Sequence, residues 1–358
     1  MNYNVRHFLE LCLKSVEASV TEIASEIIVV DNNSNDDSCK MVKSLFPKIK
    51  LIENKENVGF SKGNNIGVNH AKGEFICILN PDTVVAEDSF NLLLDFAQKQ
   101  SNLGAVGCKL IDGNGKFLPE SKRHIPTPWI STKKILGFTN SYYVPEIAEN
   151  GIGKVEILVG AFMLMKKEVY TSVGGFDEDY FMYGEDIDLS YKLLKAGFTN
   201  YYNGSTSIIH FKGESTLKDQ IYLRRFNSAM QIFYQKHFNT NILFNILVSI
   251  WVKMAKFFAK PIKISAISIQ KNVLISQTRN VNLEKALGTK LLHTLNLDNF
   301  EDNTQYILDN NELTFKQIID IIKMKTNSSE VTFRILPKNS KFIIGSDDSK
   351  NRGAIILF

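Results

Sequence analysis

The order of predicted elements places this chain in the α/β class, with a mostly parallel sheet covered by helices on both faces. Over the first hundred residues, apolar runs typical of buried strands alternate with segments whose apolar residues recur at helical spacing. The run 75–79 is continuously apolar, as expected of a parallel strand covered on both sides. Asp82 follows it directly. Because ligands of open α/β sheets bind beyond the carboxyl ends of the strands, the sequence predicts a ligand site at Asp82.

Composition limits the classes of protein to which this chain can belong. The chain has 358 residues, of which 44% are apolar and 22% charged, so it is long enough for two domains and a substantial core. The net charge of +4 is too small to indicate a nucleic-acid partner. The four cysteines are scattered, which favours reduced thiols in a cytoplasmic protein over a disulfide framework or a zinc site.

The first hundred residues predict a regular alternation. Helices are expected at 5–18, from a cap at Ser34 or Asp36 to about 45, from the glycine-punctuated stretch 57–67 to about 73, and at 89–99. Strands are expected at 27–30, 49–53 and 75–79.

Beyond residue 104 the pattern becomes mixed. Predicted strands lie at 105–110, 157–166, 198–202 and 207–210, and predicted helices at 167–173, 189–196 and 221–237. The segment 122–152 has little periodicity, and it is either a loop bordering an acceptor site or disordered.

A basic and apolar segment follows the predicted catalytic domain 1–240. In 242–259, the polar residues Asn245, Ser249, Lys253 and Lys256 step by four, four and three, which puts them on one stripe of an otherwise apolar helix. The apolar run is shorter than the ~20 residues of a spanning helix. We expect 241–263 to lie in the membrane surface, the alternative being a helix packed on the catalytic domain or on a dimer partner.

The tail 264–358 predicts a small α/β module. Strands are expected at 305–308, 331–335 and 342–344, with a helix at 314–325. No motif in this module points to chemistry.

Five motifs follow one another between residues 2 and 189. They are Asn-Tyr-Asn at 2–4, Val-Asp-Asn-Asn-Ser-Asn-Asp at 30–36, Asn-x-Gly-Phe-x-x-Gly-Asn-Asn-x-Gly at 57–67, Leu-Asn-Pro-Asp at 79–82, and Gly-Gly-Phe-Asp-Glu with Gly-Glu-Asp-x-Asp-Leu at 174–189. Together they resemble glycosyltransferase family 2, and within it the rhamnosyltransferase-type enzymes. The resemblance covers residues 1–240 and extends to the C-terminal module only through Ile-Ile-Gly-Ser at 343–346.

The resemblance implies a Rossmann-like GT-A fold that binds a nucleotide-diphosphate sugar. Asp31 would accept a hydrogen bond from the pyrimidine ring, which suits UDP- and dTDP-sugars equally; the alternative role is a turn residue. The small residues Gly59 and Gly63 would let the backbone approach the nucleotide. The full set of expected donor-binding residues is Asn2, Tyr3, Asn4, Asp31, Asn33, Asn57, Gly59, Phe60, Gly63, Asn64, Asn80 and Asp82.

The resemblance also implies a metal site. Asp82 would hold Mg²⁺ or Mn²⁺ bridging the diphosphate, and His210 would add a further contact unless it is only a structural histidine. The usual Asp-x-Asp is Asn80-Pro-Asp82 here, so an amide replaces one carboxylate. The other interpretation of this stretch is turn chemistry alone.

By the same resemblance, Asp186 would be the general base and Glu185 would help to hold the acceptor. A single direct displacement then inverts the configuration at the anomeric carbon. The alternative is that both residues cap a helix. Arg224 and Arg225 would face the diphosphate, with plain surface charge as the alternative.

The expected function is transfer from a UDP- or dTDP-sugar, dTDP-rhamnose among them, to a saccharide or lipid-linked saccharide at the inner face of the membrane. The rival interpretation is an inactive binding or scaffold protein of the same fold. A nucleotidyltransferase is disfavoured because no glycine-rich, basic triphosphate loop lies near residue 1.

One strand of the expected sheet is missing. The motif at 2–4 should follow an apolar strand lying between 27–30 and 75–79, but Met1 stands where that strand would end. Losing about five buried apolar residues removes on the order of 10 kcal/mol before chain entropy is considered. We therefore expect a native chain that begins upstream, with an apolar strand.

Overall fold

The structure is a computed structural model that describes residues 1–135, 139–212, 220–238, 268–294, 300–325, 330–348 and 352–358. The segment 241–263, which we expect to lie in the membrane surface, is outside these ranges. So is residue 240, the predicted end of the first domain. Among the described residues, no helix has the length and apolar character needed to cross a membrane.

The amino-terminal part forms a two-stranded parallel sheet with three helices. Strands β1 (Ile28–Asp31) and β2 (Lys50–Glu53) pair in register, Ile28 beside Lys50. Helices α1 (Arg6–Ser19), α2 (Ser38–Leu45) and α3 (Phe60–His70) match the predicted positions closely. At the start of α2, Asp36 accepts a hydrogen bond from the backbone of Ser38 at 3.1 Å, so Asp36 rather than Ser34 supports this helix end.

A separate six-stranded sheet is formed by strands between residues 75 and 210. Its strands follow the order β3-β7-β5-β8-β4, and β6 pairs with β8. Their bounds are β3 (Phe75–Leu79), β4 (Thr83–Val84), β5 (Leu103–Ile111), β6 (Ile152–Val155), β7 (Phe162–Lys166) and β8 (Thr199–His210). The associated helices are α4 (Ser89–Gln98), α5 (Pro128–Ile135), α6 (Lys167–Ser172), α7 (Glu185–Lys195) and α8 (Gln220–His237). The α/β class and the GT-A type of sheet are confirmed.

Three local expectations were wrong. Strand β3 has the predicted bounds, but its ladder with β7 is antiparallel, because an apolar run reports burial and carries no information on strand direction. The two strands expected at 198–202 and 207–210 form the single strand β8, which bulges against β5. The segment 122–152 contains α5 and leads into β6, so it is neither a plain loop nor disordered throughout.

The tail folds as the predicted α/β module. Its strands are β9 (Lys271–Ile275), β10 (Leu292–Thr294), β11 (Thr304–Asp309), β12 (Val331–Leu336), β13 (Phe342–Gly345) and β14 (Ala354–Leu357), in the order β10-β9-β11-β12-β13-β14. The first four in this order are parallel. The helices are α9 (Val281–Leu287) and α10 (Phe315–Lys323). The pattern did not identify β9, α9, β10 or β14.

The module packs directly on the catalytic domain. Phe8 and Phe211 belong to the same hydrophobic cluster as Phe315 and Phe333 of the module. Glu87 accepts hydrogen bonds from the backbone amides of Phe315 at 2.7 Å and Lys316 at 2.8 Å, which are the first two residues of α10. A carboxylate of one unit therefore caps a helix of the other.

Replacing Glu87 with alanine should lower the free energy of unfolding by about 1–2 kcal/mol, since two amides at the start of α10 lose their acceptor. Urea denaturation followed by circular dichroism measures this. The matched control is Lys316→Ala, which removes only the exposed ion pair with Asp88 and should change stability by less than about 0.5 kcal/mol. Equal effects of the two variants would contradict the capping role.

Candidate active site

The carboxyl ends of β3 and β8 bring Asn80, Asp82 and His210 together. Strands β4 and β8 pair with Thr83 beside His210, and the amide of Phe211 donates to the carbonyl of Asp82 at 3.0 Å. His210 Nε2 therefore lies 3.4 Å from Asp82 Oδ1 and 3.4 Å from Asn80 Nδ2. The prediction that these three residues meet agrees with the geometry.

Several polar atoms of this cluster have no hydrogen-bond partner among the described residues. They are Asn80 Oδ1, Asp82 Oδ1 and His210 Nδ1, all buried. Buried polar atoms are almost always paired, so unpaired ones gathered at a strand end suit a ligand. The described residues contain no group of three or more acidic, histidine or cysteine side chains that could hold a metal by themselves. Asp82 and His210 suit an ion whose other ligands come from phosphate and water.

A second acidic group lies at the start of α7, where Gly184 precedes Glu185 in the left-handed conformation, φ 80°. Asp186 Oδ2 accepts hydrogen bonds from Arg123 Nη2 at 2.7 Å and from the amide of Gly160 at 3.1 Å. Arg123 is buried and also donates to the carbonyl of Leu158 at 2.6 Å. The sequence did not point to Arg123, which lies in the aperiodic segment 122–152.

The surroundings of Glu185 differ from those of its neighbour Asp186. Burial, together with the nearby charge of Asp186, raises the pKa of Glu185 to about 8. Its Oε2 is buried and has no hydrogen-bond partner among the described residues. The raised pKa favours the protonated form of Glu185 at neutral pH, while Arg123 is placed to stabilise negative charge on Asp186.

Two consecutive residues link the acidic pair to the cluster at β3. The amide of Gly160 donates to Asp186, and the carbonyl of Ala161 accepts from the amide of Asn80 at 3.0 Å. A methyl group added at Gly160 would lie 3.3 Å from Cβ of Asp186, so this close approach favours glycine. The two predicted centres of chemistry are thus held by one short stretch of backbone.

Asp31 is buried at the end of β1 and engaged within the protein. Its Oδ1 accepts from Asn2 Nδ2 and from Ser34 Oγ, both at 2.7 Å, and its Oδ2 accepts from the amide of Ser34 at 2.8 Å. These bonds hold both carboxylate oxygens of Asp31 in place at the end of the strand. Asn2 Oδ1 is also buried without a partner among the described residues.

The neighbouring asparagines Asn32 and Asn33 differ in burial, and donor binding by Asn33 stays a prediction. Asn33 is exposed, with φ 61°, whereas Asn32 is fully buried. Asn32 Nδ2 donates to the carbonyl of Gly59 at 2.9 Å, and Asn32 Oδ1 accepts from Asn54 at 2.8 Å. Asn32 therefore organises the glycine loop, a role that the motif alone could not assign to it over Asn33.

The predicted glycines make close contacts with the protein itself. Gly59 has φ 86°, and a Cβ there would lie 2.5 Å from the carbonyl of Phe181, which also accepts from the amide of Phe60 at 2.7 Å. A Cβ on Gly63 would lie 2.9 Å from Cγ of Met1. These contacts join the glycine loop to the segment that precedes Glu185, and approach to a nucleotide stays a prediction.

The other predicted donor-binding residues lie around this loop. Asn57 Oδ1 accepts from the amide of Gly59 at 3.0 Å, and Asn64 is buried and bonds back to Phe60. Tyr3 is half-buried and Asn4 is exposed with φ 54°.

The two predicted arginines give no support for a diphosphate contact. The Arg225 guanidinium lies over the Phe181 ring at 4.8 Å. The side chain of Arg224 lies outside the described residues.

Comparison with known proteins shows which protein family this chain is similar to. Residues 1–174 match the family model of glycosyl transferase family 2. The N-acetylglucosaminyl-diphospho-decaprenol L-rhamnosyltransferase of Mycobacterium tuberculosis is 28% identical over 237 residues, 61% of this chain and 76% of that protein. Rhamnosyltransferase WbbL of Escherichia coli is 28% identical over 163 residues, 43% of this chain and 61% of that protein.

A solved mannosyltransferase, PcManGT from Pyrobaculum calidifontis in complex with GDP-Man and Mn²⁺, aligns with a TM-score of 0.48 at 17% identity, covering 72% of this chain and 71% of that one. Residues 1–174 therefore carry a glycosyl transferase family 2 domain, which together with the α/β fold supports glycosyltransferase activity. The chain is similar to rhamnosyltransferases.

The raised pKa of Glu185 predicts a pH-dependent stability. Between about pH 4.5 and pH 8 the folded protein keeps a proton on Glu185 that the unfolded chain releases, so stability falls as the pH rises through this range. Glu185→Gln should remove this pH dependence, which amounts to a change on the order of a few kcal/mol in the free energy of unfolding across the range. Urea denaturation at a series of pH values measures it.

The matched control is Glu168→Gln, which replaces an exposed glutamate and should leave the slope unchanged. A wild-type slope retained by Glu185→Gln would show that Glu185 titrates normally in the folded protein.

Proposed function

We propose that this chain transfers a sugar from a UDP- or dTDP-sugar to a saccharide or lipid-linked saccharide, with inversion at the anomeric carbon. dTDP-rhamnose is the first donor to test, since two of the relatives above are named rhamnosyltransferases. This proposal is based mainly on the hydrogen bonds of Gly160 and Ala161, which join Asp186 to the Asn80–Asp82 turn. A base and a diphosphate-binding group must act on the same donor sugar, and this link keeps them in fixed relation.

Asp186 suits the role of general base. Arg123 and the amide of Gly160 hold Oδ2. Among the described residues, Oδ1 accepts a hydrogen bond only from the amide of Ile187 at 2.8 Å, so it can receive the proton of the acceptor hydroxyl. Glu185, in the protonated form that its raised pKa favours, can donate a hydrogen bond to the acceptor. The two carboxyl groups thus have different roles set by their surroundings.

Asp82 and His210 suit a Mg²⁺ or Mn²⁺ ion, as their unpaired buried atoms indicate. When bound, such an ion would supply positive charge that stabilises the departing nucleoside diphosphate. Asn80 Oδ1 can serve as a neutral ligand beside it. Asp31 and Asn2, whose Oδ1 has no partner among the described residues, would receive the pyrimidine base at the end of β1.

The acceptor and the location are proposed from the sequence. The segment 241–263 would hold the enzyme on the inner face of the cytoplasmic membrane, where anionic lipids attract its lysines. A lipid-linked saccharide acceptor would then lie at the same surface as the active site.

Asp186→Asn should lower the rate of sugar transfer by at least about 100-fold while donor affinity is retained, because the amide cannot take the acceptor proton. A panel of UDP- and dTDP-sugars with Mg²⁺ or Mn²⁺ would first identify the donor by release of the nucleoside diphosphate. Turnover and calorimetric titration of that donor then separate chemistry from binding.

Asp347→Asn is the matched control, since Asp347 also pairs with a buried arginine, Arg334, but in the C-terminal module. It should leave turnover unchanged. Near wild-type turnover of Asp186→Asn would contradict the assignment of Asp186 as the general base. A wild-type chain that binds a donor and never transfers its sugar would favour the binding-protein alternative.

Asp82→Ala should weaken donor binding by about tenfold or more in Mg²⁺ or Mn²⁺ and make the remaining affinity independent of the metal. Titrations with and without a chelator provide the measurement. Asp112→Ala, which alters another carboxylate turn after a strand, is the control. Affinity that still depends on metal in Asp82→Ala would place the ion elsewhere.

A further inference from the structure

An ion pair joins the end of β8 to the helical turn Pro119–Ser121. Lys212 lies two residues beyond His210, and its Nζ contacts Oε1 of Glu120 in that turn. The pair is partly buried, since 33% of the Lys212 side chain and 17% of the Glu120 side chain are exposed. Charges in such positions are screened less by solvent and salt than surface charges are. A positive charge held here can therefore act on chemistry nearby.

The backbone of Lys212 has an unusual conformation. Its φ is 60°, in the left-handed region that residues other than glycine seldom adopt. Such a conformation persists only where the surroundings determine it, and it is found preferentially at functional sites. The preceding residue, Phe211, supplies this constraint, because its amide donates to the carbonyl of Asp82 at 3.0 Å and its ring is buried against the C-terminal module. The anchor that places His210 beside Asp82 thus also directs Lys212.

The pair lies between the two candidate centres. Burial raises the pKa of Glu120, but interactions with Lys212 and with nearby His210 offset this effect and hold that pKa below its usual value. On the other side, burial and the charge of Glu120 raise the pKa of Tyr143 to about 12. Tyr143 forms an antiparallel bridge with Arg123, which holds the candidate base. The ion pair is therefore close to both the candidate metal site and the candidate base.

Lys212 keeps hydrogen-bond donors for a ligand. A lysine ammonium group has three N–H donors, and Glu120 is its one ion-pair partner among the described residues. Other basic residues are engaged elsewhere: Arg123 by Asp186, and Arg225 over the Phe181 ring. Lys212 is thus better placed than either arginine to meet a diphosphate bound at Asp82.

We propose that Lys212 binds the diphosphate of the donor and stabilises the charge that develops on its leaving oxygen, an inference that rests on the proposed function. In the transfer, the acceptor oxygen bonds to the anomeric carbon, its proton passes to Asp186, and the bond from that carbon to the phosphate oxygen breaks. The electron pair of the broken bond remains on the nucleoside diphosphate. Lys212 donates a hydrogen bond to this group and keeps its own protons. Because the negative charge grows as the bond breaks, the interaction strengthens during the reaction.

Lys212→Met removes the charge and keeps most of the length of the side chain. Whichever of UDP, dTDP and inorganic pyrophosphate the wild-type chain binds in Mn²⁺, this variant should bind about tenfold or more weakly in calorimetric titration. Binding of UMP or dTMP should change by less than about threefold, because a monophosphate lacks the second phosphate group. With the donor identified, turnover should fall by a larger factor than KM rises. Lys212→Arg, which retains the charge, should restore both affinity and turnover.

Two variants separate this role from a purely structural one. Glu120→Gln breaks the same ion pair but removes a negative charge, so affinity for the diphosphates should stay the same or increase. Lys271→Met changes a lysine of similar exposure, 35%, which pairs with Glu301 in the C-terminal module, and should leave every affinity unchanged. Melting temperatures check that the variants fold, and Lys212→Gln gives the same test if the methionine variant does not.

Equal losses of affinity in Lys212→Met and Glu120→Gln would overturn the proposal, since the ion pair would then be structural only. So would a wild-type chain that binds none of the three diphosphate probes. A chain that transfers sugar while Lys212→Met keeps wild-type diphosphate affinity contradicts this inference alone. A chain whose diphosphate affinity depends on Lys212, but which never transfers sugar, contradicts the proposed function alone.

Discussion

The buried ion pair between Arg123 and Asp186 is the interaction on which the candidate active site depends. Two adjacent carboxyl groups at a helix start repel each other, and burial raises the cost of charging both. Arg123 is placed to stabilise negative charge on Asp186, and the raised pKa of Glu185 favours its protonated form near neutral pH. Such a pair survives in the interior because hydrogen bonds from Arg123 and Gly160 satisfy the same oxygen.

The backbone of 158–161 extends this constraint across the site. Leu158 accepts from Arg123, Gly160 donates to Asp186, and Ala161 accepts from Asn80. The amide of Leu158 donates a hydrogen bond to Ser190 Oγ at 3.2 Å, so α7 is tied to this stretch as well. Groups far apart in the sequence are therefore held by four consecutive residues at the entry to β7.

Local signals allowed much of this to be predicted. The continuous apolar run identified β3 with its bounds, and the position of Asp82 after that strand made it a candidate site residue. His210 and Asp186 were expected from the family resemblance, and their roles stay predictions. Arg123 could not be predicted, because it lies in an aperiodic segment and reaches Asp186 only through the tertiary fold. The choice of Asn32 over Asn33 depends on which side chain turns inward after β1. Strands β10 and β14 are short and largely exposed, so they leave little apolar pattern.

The position of Phe211 has a consequence for how the chain can be divided. His210 faces the candidate metal site, and the next residue, Phe211, is buried in the hydrophobic cluster shared with the C-terminal module. Excising the module would expose Phe211 to water and release the end of β8, which carries His210. The two units share a hydrophobic core at this point, so we expect a fragment that lacks the module to lose the geometry around His210.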